Sequence, residues 1–148
     1  MGTSLHLGHQ VGLDGRALPE PRYLLPKDHL VTHGVVLGMT GSGKTGLVTV
    51  LVEEALRAGV PVIAIDVKGD LPNLLLSLPT FLPDALAPWV EGQGEAALAK
   101  AAKLAEARRF GLEVHGIGEP DLRVYHDSIH VRVVTPGSDA GEMLHLLS

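Results

Sequence analysis

The chain has 148 residues, is 45% hydrophobic and contains no cysteine; this is about one domain of polypeptide, rich enough in apolar side chains to bury a core and excluded from disulfide or thiolate-metal chemistry. A net charge of −5 excludes a global attraction to nucleic acid, and an aromatic content of 3% excludes a stacking surface for single-stranded bases. No apolar run approaches the roughly 18 to 20 residues of a membrane span and no basic start leads into an apolar block, so the expected location is cytoplasmic and no membrane partner is expected.

Residues 1–30 mix glycine, proline and polar residues with short apolar runs, and read as a lead-in of irregular chain or short edge strands. The spacings His6/His9 and His29/His33 would pair imidazoles on a helix, but Gly8, Gly12 and Pro26 argue against helix and no third ligand of suitable type stands near, so no metal site is expected there. Gly34–Leu37 is an apolar run suited to a strand buried on both faces of a parallel sheet. From Lys44 to about Ala58, apolar residues recur at helical spacing, with Arg57 in the last turn and Gly59 as the stop. Val60–Ile65 is a second strand ending in Asp66, which completes a βαβ unit with a right-handed crossover.

Beyond Asp66 the turn Val67-Lys68-Gly69-Asp70 precedes a short helix capped by Asp70, with Pro72 in its first turn. Pro79, Pro83 and Pro88 surround Phe81 and Trp89, predicting a surface excursion pinned by both aromatics. The spacing predicts a helix over 95–110, in which Arg108-Arg109 form a solvated last turn that complements the helix dipole. Residues 111–128 read as a connector, 130–134 as a half-buried strand, and Thr135–Gly141 as a turn-forming loop; His126 and His130 read as a solvated pair.

The organising stretch is Gly38-Met-Thr-Gly-Ser-Gly-Lys-Thr45, which fits glycine, four residues, Gly-Lys-Ser/Thr between a strand and a helix. A phosphate chain needs several donors that are held without much desolvation. Gly41 and Gly43 let successive backbone amides turn inward, Thr40 and Ser42 are small enough for the loop to curl, and Gly46 continues the cradle into the helix, whose positive dipole end points at the anion. Lys44 would reach the β and γ phosphates, as the candidate catalytic side chain, and the Thr45 hydroxyl would ligate Mg²⁺. Asp66 carries two readings of about equal weight: a second Mg²⁺ ligand at a strand end, or a residue that orders the Lys68-Gly69 turn.

The glycine loop, Asp66-Val-Lys-Gly-Asp-Leu71, Leu74-Leu-Leu76 and Thr135-Pro-Gly-Ser-Asp-Ala-Gly141 together resemble the HerA-like branch of the HerA/FtsK ATPases over residues 23–148. The resemblance implies a three-layer, RecA-like P-loop α/β fold with a mostly parallel sheet. It also implies ATP and Mg²⁺ as cofactors, assembly into a hexameric homo-oligomer, DNA translocation, and a nuclease partner. Residues 31–148 then form the amino-terminal part of the ATPase domain. The chain departs from the pattern after Thr135, where no apolar strand ends in Asp-Glu and no arginine finger follows, and it shows no amino-terminal barrel. An incomplete sheet and very slow hydrolysis are therefore expected, with the chain a fragment of a longer ATPase or a short relative. A non-catalytic nucleotide-binding or assembly module is the alternative, and a small P-loop phosphotransferase using Asp66 is a third.

Overall fold

A computed structural model describes residues 4–71, 74 and 76–144, and divides into two compact units, Met1–Leu74 and Leu75–Ser148. It is a mixed α/β structure with one two-stranded sheet in each unit.

The first unit begins with an antiparallel hairpin of β1 (Ser4–Val11) and β2 (Ala17–Pro26), longer and more regular than the lead-in expected there. Its turn is closed by Gly12 N–H to Arg16 O at 2.8 Å and Gly15 N–H to Gly12 O at 2.9 Å, with Gly15 at φ +78°. The glycines are absorbed rather than disruptive: His6 pairs with Leu24 and Gly8 with Tyr23, so Leu7 is an extra residue in a bulge. A 3-10 turn, Lys27–Val31, leads into the extended chain that precedes α1 (Lys44–Arg57).

α1 ends as its sequence predicts. Gly59, at φ +73°, donates to Leu56 O at 2.9 Å, and Val60 N–H reaches back to Ala55 O at 2.9 Å, which together satisfy carbonyls of the last turn. The helix packs on β1, where Leu5, Ala55 and Ala58 are buried. Two polar contacts fix the same joint: His6 N–H donates to Glu54 Oε2 at 2.8 Å, and Lys27 Nζ to Ala58 O at 3.0 Å. Nearer the start of α1, a cleft of about 800 Å³ opens among Leu7, Leu25, Val35, Val36, Leu47 and Leu51.

The runs Gly34–Leu37 and Val60–Ile65, expected as parallel strands, carry no strand pairing in the structure. With no neighbouring strand to cover them their side chains stand in water: Leu37 is 86% and Ile63 94% exposed. The expected short helix after Asp70 falls on a stretch in which residues 72, 73 and 75 lie outside the described residues.

The second unit is built on α3 (Gly94–Glu113), three residues longer at its end than predicted. Ala97, Ala101 and Ala105 recur every four residues along its buried stripe. These small side chains let α2 (Pro83–Leu86) and the following 3-10 turn, Ala87–Trp89, sit close, and Leu86 packs on Ala101 and Ala105 with Leu78, Ala87 and Val90 around them.

The proline-rich excursion is pinned by only one of its aromatics: Phe81 is 4% exposed, whereas Trp89 is 63% exposed. Arg108 is not a solvated last-turn cation. Its guanidinium lies 5.3 Å from the Phe81 ring centre and donates to Leu78 O and Thr80 O, each at 2.9 Å, with Arg109 5.5 Å from the same ring. Burial pulls Arg108 below the usual guanidinium range.

Residues 119–128, expected within a connector, form α4 (Glu119–Ser128). Its first turn holds Glu119, Pro120 and Asp121, and Asp121 Oδ2 accepts from Gly118 N–H at 2.9 Å. Glu119 Oε1 also accepts from Phe81 N–H at 2.9 Å, and that bond, more than the nearby Arg123, holds its carboxyl below the usual range. His126 is exposed, as expected, and is also tied to Ser77: its Nδ1 lies 2.7 Å from Ser77 O, so that nitrogen bears the proton.

The half-buried strand expected over 130–134 forms instead as β3 (Val134–Pro136), paired in parallel with β4 (Glu142–Leu144). The connecting loop is tight. A Cβ at Gly141 would stand 2.6 Å from Val133 O, and Thr135 Oγ1 bridges the loop by donating to Ser138 O and accepting from Gly141 N–H. Arg132 and Glu142 pair across its mouth at 2.9 Å.

Candidate nucleotide site

The glycine stretch forms a loop that ends directly in α1. Gly41 and Gly43 take φ of +78° and +87°, the left-handed region that a residue with a Cβ enters only under strain. Gly43 is the residue before the first helical position, and Leu47 N–H to Gly43 O at 2.9 Å is the first helical bond. A Cβ on Gly38 would collide with the Ser42 hydroxyl and lie 3.4 Å from Lys44 Cγ, so the loop closes on itself only because Gly38 has none. Ser42 N–H to Met39 O at 3.2 Å completes the curl.

The loop presents donors and no competing anion. The first-turn amides of Lys44, Thr45 and Gly46 have no carbonyl within the helix to bond, Gly43 supplies no side-chain cap, and the first turn contains no acidic residue. Lys44 folds back across the loop, its Nζ donating to Met39 O at 2.6 Å. Thr45 keeps an exposed side chain while its carbonyl accepts from Thr49 Oγ1 at 2.9 Å. Left-handed glycines, uncapped amides, a lysine and a hydroxyl at one helix start fit a polyphosphate with a divalent cation. Of these contacts, the Met39 carbonyl that holds Lys44 is not legible in the sequence, because any residue type supplies it.

Asp66 organises the turn that follows it. Its Oδ1 accepts from Lys68 N–H at 3.1 Å and Gly69 N–H at 2.8 Å, and its Oδ2 from Leu71 N–H at 2.8 Å. The Leu71 bond first, then the Gly69 bond, holds the carboxyl below its usual range. Lys68 pairs with Asp70, which raises the lysine above its ordinary value. Asp66 Oδ1 already accepts twice, so of the carboxylate's roughly four lone-pair sites the one left open is on Oδ2, which accepts from Leu71 alone. Among the described residues no three His, Asp or Glu side chains gather around a common point.

A glycine-built anion cradle, with lysine and threonine at the start of the helix it feeds, defines the class of phosphate-loop proteins. Compared with family models, the chain matches the one described as the central domain of the helicase HerA over residues 7–128, well over half its length, and it belongs to that family. It is accordingly an ATPase-type, nucleotide-binding module. No curated protein and no solved structure matches it. No helix among the described residues is long and apolar enough to cross a membrane.

Proposed function

We propose that this chain is the ATP-binding portion of a HerA-like, DNA-translocating ATPase, with the triphosphate and Mg²⁺ held by Gly38–Thr45 and the first turn of α1. One observation carries the reading: the loop gathers uncapped amides, two left-handed glycines and the Lys44 ammonium at a single helix start without an acidic neighbour in the first turn. The Thr45 hydroxyl, with Asp66, would hold Mg²⁺, which would supply neutralisation of the charge that develops on the phosphates.

The chain's own residues do the rest. Amides of residues 40–46 orient the phosphates. The Lys44 ammonium, already over the loop on the Met39 carbonyl, exchanges that carbonyl for phosphate oxygens with little search. The Thr45 hydroxyl, and Asp66 with the acceptor capacity its turn leaves, supply oxygen ligands of the kind Mg²⁺ prefers.

The family supports the wider reading, in which residues 31–148 form the amino-terminal part of the ATPase domain. Gly34–Leu37 and Val60–Ile65 would then be parallel strands of a three-layer sheet, a hexameric ring would complete the site, and a nuclease would act beside it in the cytoplasm. The order run, loop, helix, run fits this, and the exposure of both runs leaves them available to neighbouring strands. Contact with DNA would come through the assembled protein, since this chain is net acidic.

Calorimetry of ATP with Mg²⁺ tests the core of the proposal. Replacing Lys44 removes charge-assisted hydrogen bonds worth about 1.5–3 kcal/mol, so Lys44→Ala should weaken binding about 10- to 100-fold. Equal affinity for the wild type and the variant overturns the assignment.

A further inference from the structure

The cleft beside the start of α1 is large and uncharged. Its volume of about 800 Å³ falls within the range of about 300–1,000 Å³ usual for small-molecule sites. Leu7, Leu25, Val48 and Leu51 are half-buried and supply apolar wall, and among the described residues that line it none is Asp, Glu, Lys or Arg. An anion would find no charged partner there. Three exposed ring side chains, Tyr23, His29 and His33, line the same cleft, and Tyr23 is one of only two tyrosines in the chain. Ring faces beside apolar wall suit a planar, uncharged heterocycle, since nucleobases stack on tyrosine and histidine.

Continuity with the phosphate loop identifies the heterocycle. Val35 and Val36 line the cleft and run on into Gly38, while Leu47 lines it from α1, three residues or roughly 5 Å of helix rise beyond Lys44. The segments that enter and leave the loop are thus also walls of the cleft, and a ribose is all that separates a base from the first phosphate of a nucleotide. We infer that this cleft takes the adenine base of the nucleotide, with Tyr23 as the stacking residue, an inference that rests on the reading of Gly38–Thr45 as the phosphate site. Thr32, which also lines the cleft, adds a polar contact of fixed sense. Its Oγ1 donates to His29 O at 2.9 Å, so toward a ligand the hydroxyl oxygen only accepts, as an exocyclic amino group requires. Through Tyr23 and Leu25 the hairpin becomes part of the nucleotide site as well as a support for α1.

Calorimetry on the full chain with Mg²⁺ compares ATP with inorganic tripolyphosphate, which keeps the phosphates and lacks the base. The unaltered protein should bind ATP at least tenfold more tightly. Tyr23→Ala should weaken ATP at least fivefold and leave tripolyphosphate as it was, Tyr23→Phe should retain ATP affinity, and Lys44→Ala should weaken both ligands. Photolabelling of the unaltered protein with 8-azido-ATP, blocked by excess ATP, should mark residues within 23–36 or 47–51; this arm needs no variant that might misfold. Equal affinity for ATP and tripolyphosphate, an ATP affinity unmoved by Tyr23→Ala, or labelling confined to other residues overturns the base site and leaves the phosphate loop standing. If Lys44→Ala changes neither ligand, the phosphate assignment itself fails and the base site falls with it.

Discussion

Both carboxylate oxygens of Asp66 accept backbone N–H groups, so one side chain dictates the course of the next five residues. Asp66→Ala should release the amides of Lys68, Gly69 and Leu71, raising their hydrogen-exchange rates at least tenfold while exchange in α1 stays as it was. Gly43 is constrained differently. At φ +87° an alanine there is strained by about 1–3 kcal/mol, and Gly43→Ala should lower the urea midpoint and weaken ATP binding together.

Glu119 titrates as a fold reporter. Its folded-state pKa lies below the unfolded value, so its contribution is complete above the ordinary carboxylate range and is lost as pH falls through the folded value. Thermal melts of wild type and Glu119→Gln should therefore differ at pH 7 and converge as the pH is taken below the carboxylate range. The need for glycine at 41 and 43 is legible in the sequence because it is a local dihedral demand. The place of Arg108 is not, because its two carbonyl partners and the Phe81 ring come from a segment nearly thirty residues earlier.

Among the elements, α1 and α3 are legible because apolar spacing and glycine stops are properties of a single segment. α4 carried a readable signal, Gly118-Glu-Pro-Asp121, which is an acidic first turn with proline inside it, but its mostly polar composition hides it among connector residues. Strand positions were less legible: β1 and β2 exist through each other's hydrogen bonds, and a bulge restores pairing where Gly8 reads as a break. The excursion over 79–93 supplies a direct contrast between two aromatics. Phe81→Ala should destabilise the second unit by about 3–5 kcal/mol in urea melts, as for other buried aromatics, whereas Trp89→Ala should stay within about 0.5 kcal/mol.

For the whole molecule, the family was legible through the loop, the Asp66 turn and the Thr135 loop, and the family model's match over residues 7–128 establishes it. The mixed α/β class was legible too. A parallel sheet was not formed by the two runs that the pattern marks for it, because sheet formation needs neighbours that a segment cannot supply alone. Val35, Leu37, Ile63 and Ile65 are left in water, a surface that drives association. The chain should sediment above monomer mass, more so at higher concentration, and Ile63→Lys with Ile65→Lys should return it toward the monomer.

The hairpin and the 3-10 turn that follows it grip α1 at Glu54 and Ala58, the end opposite the phosphate loop. A helix of 14 residues is a strut about 21 Å long, stiff enough that a small tilt imposed at its loaded tip reappears at its clamp. The cradle and the hairpin are thus two ends of one lever. Occupancy at Lys44 should register as altered exchange of the His6 amide, a signal read far from any phosphate.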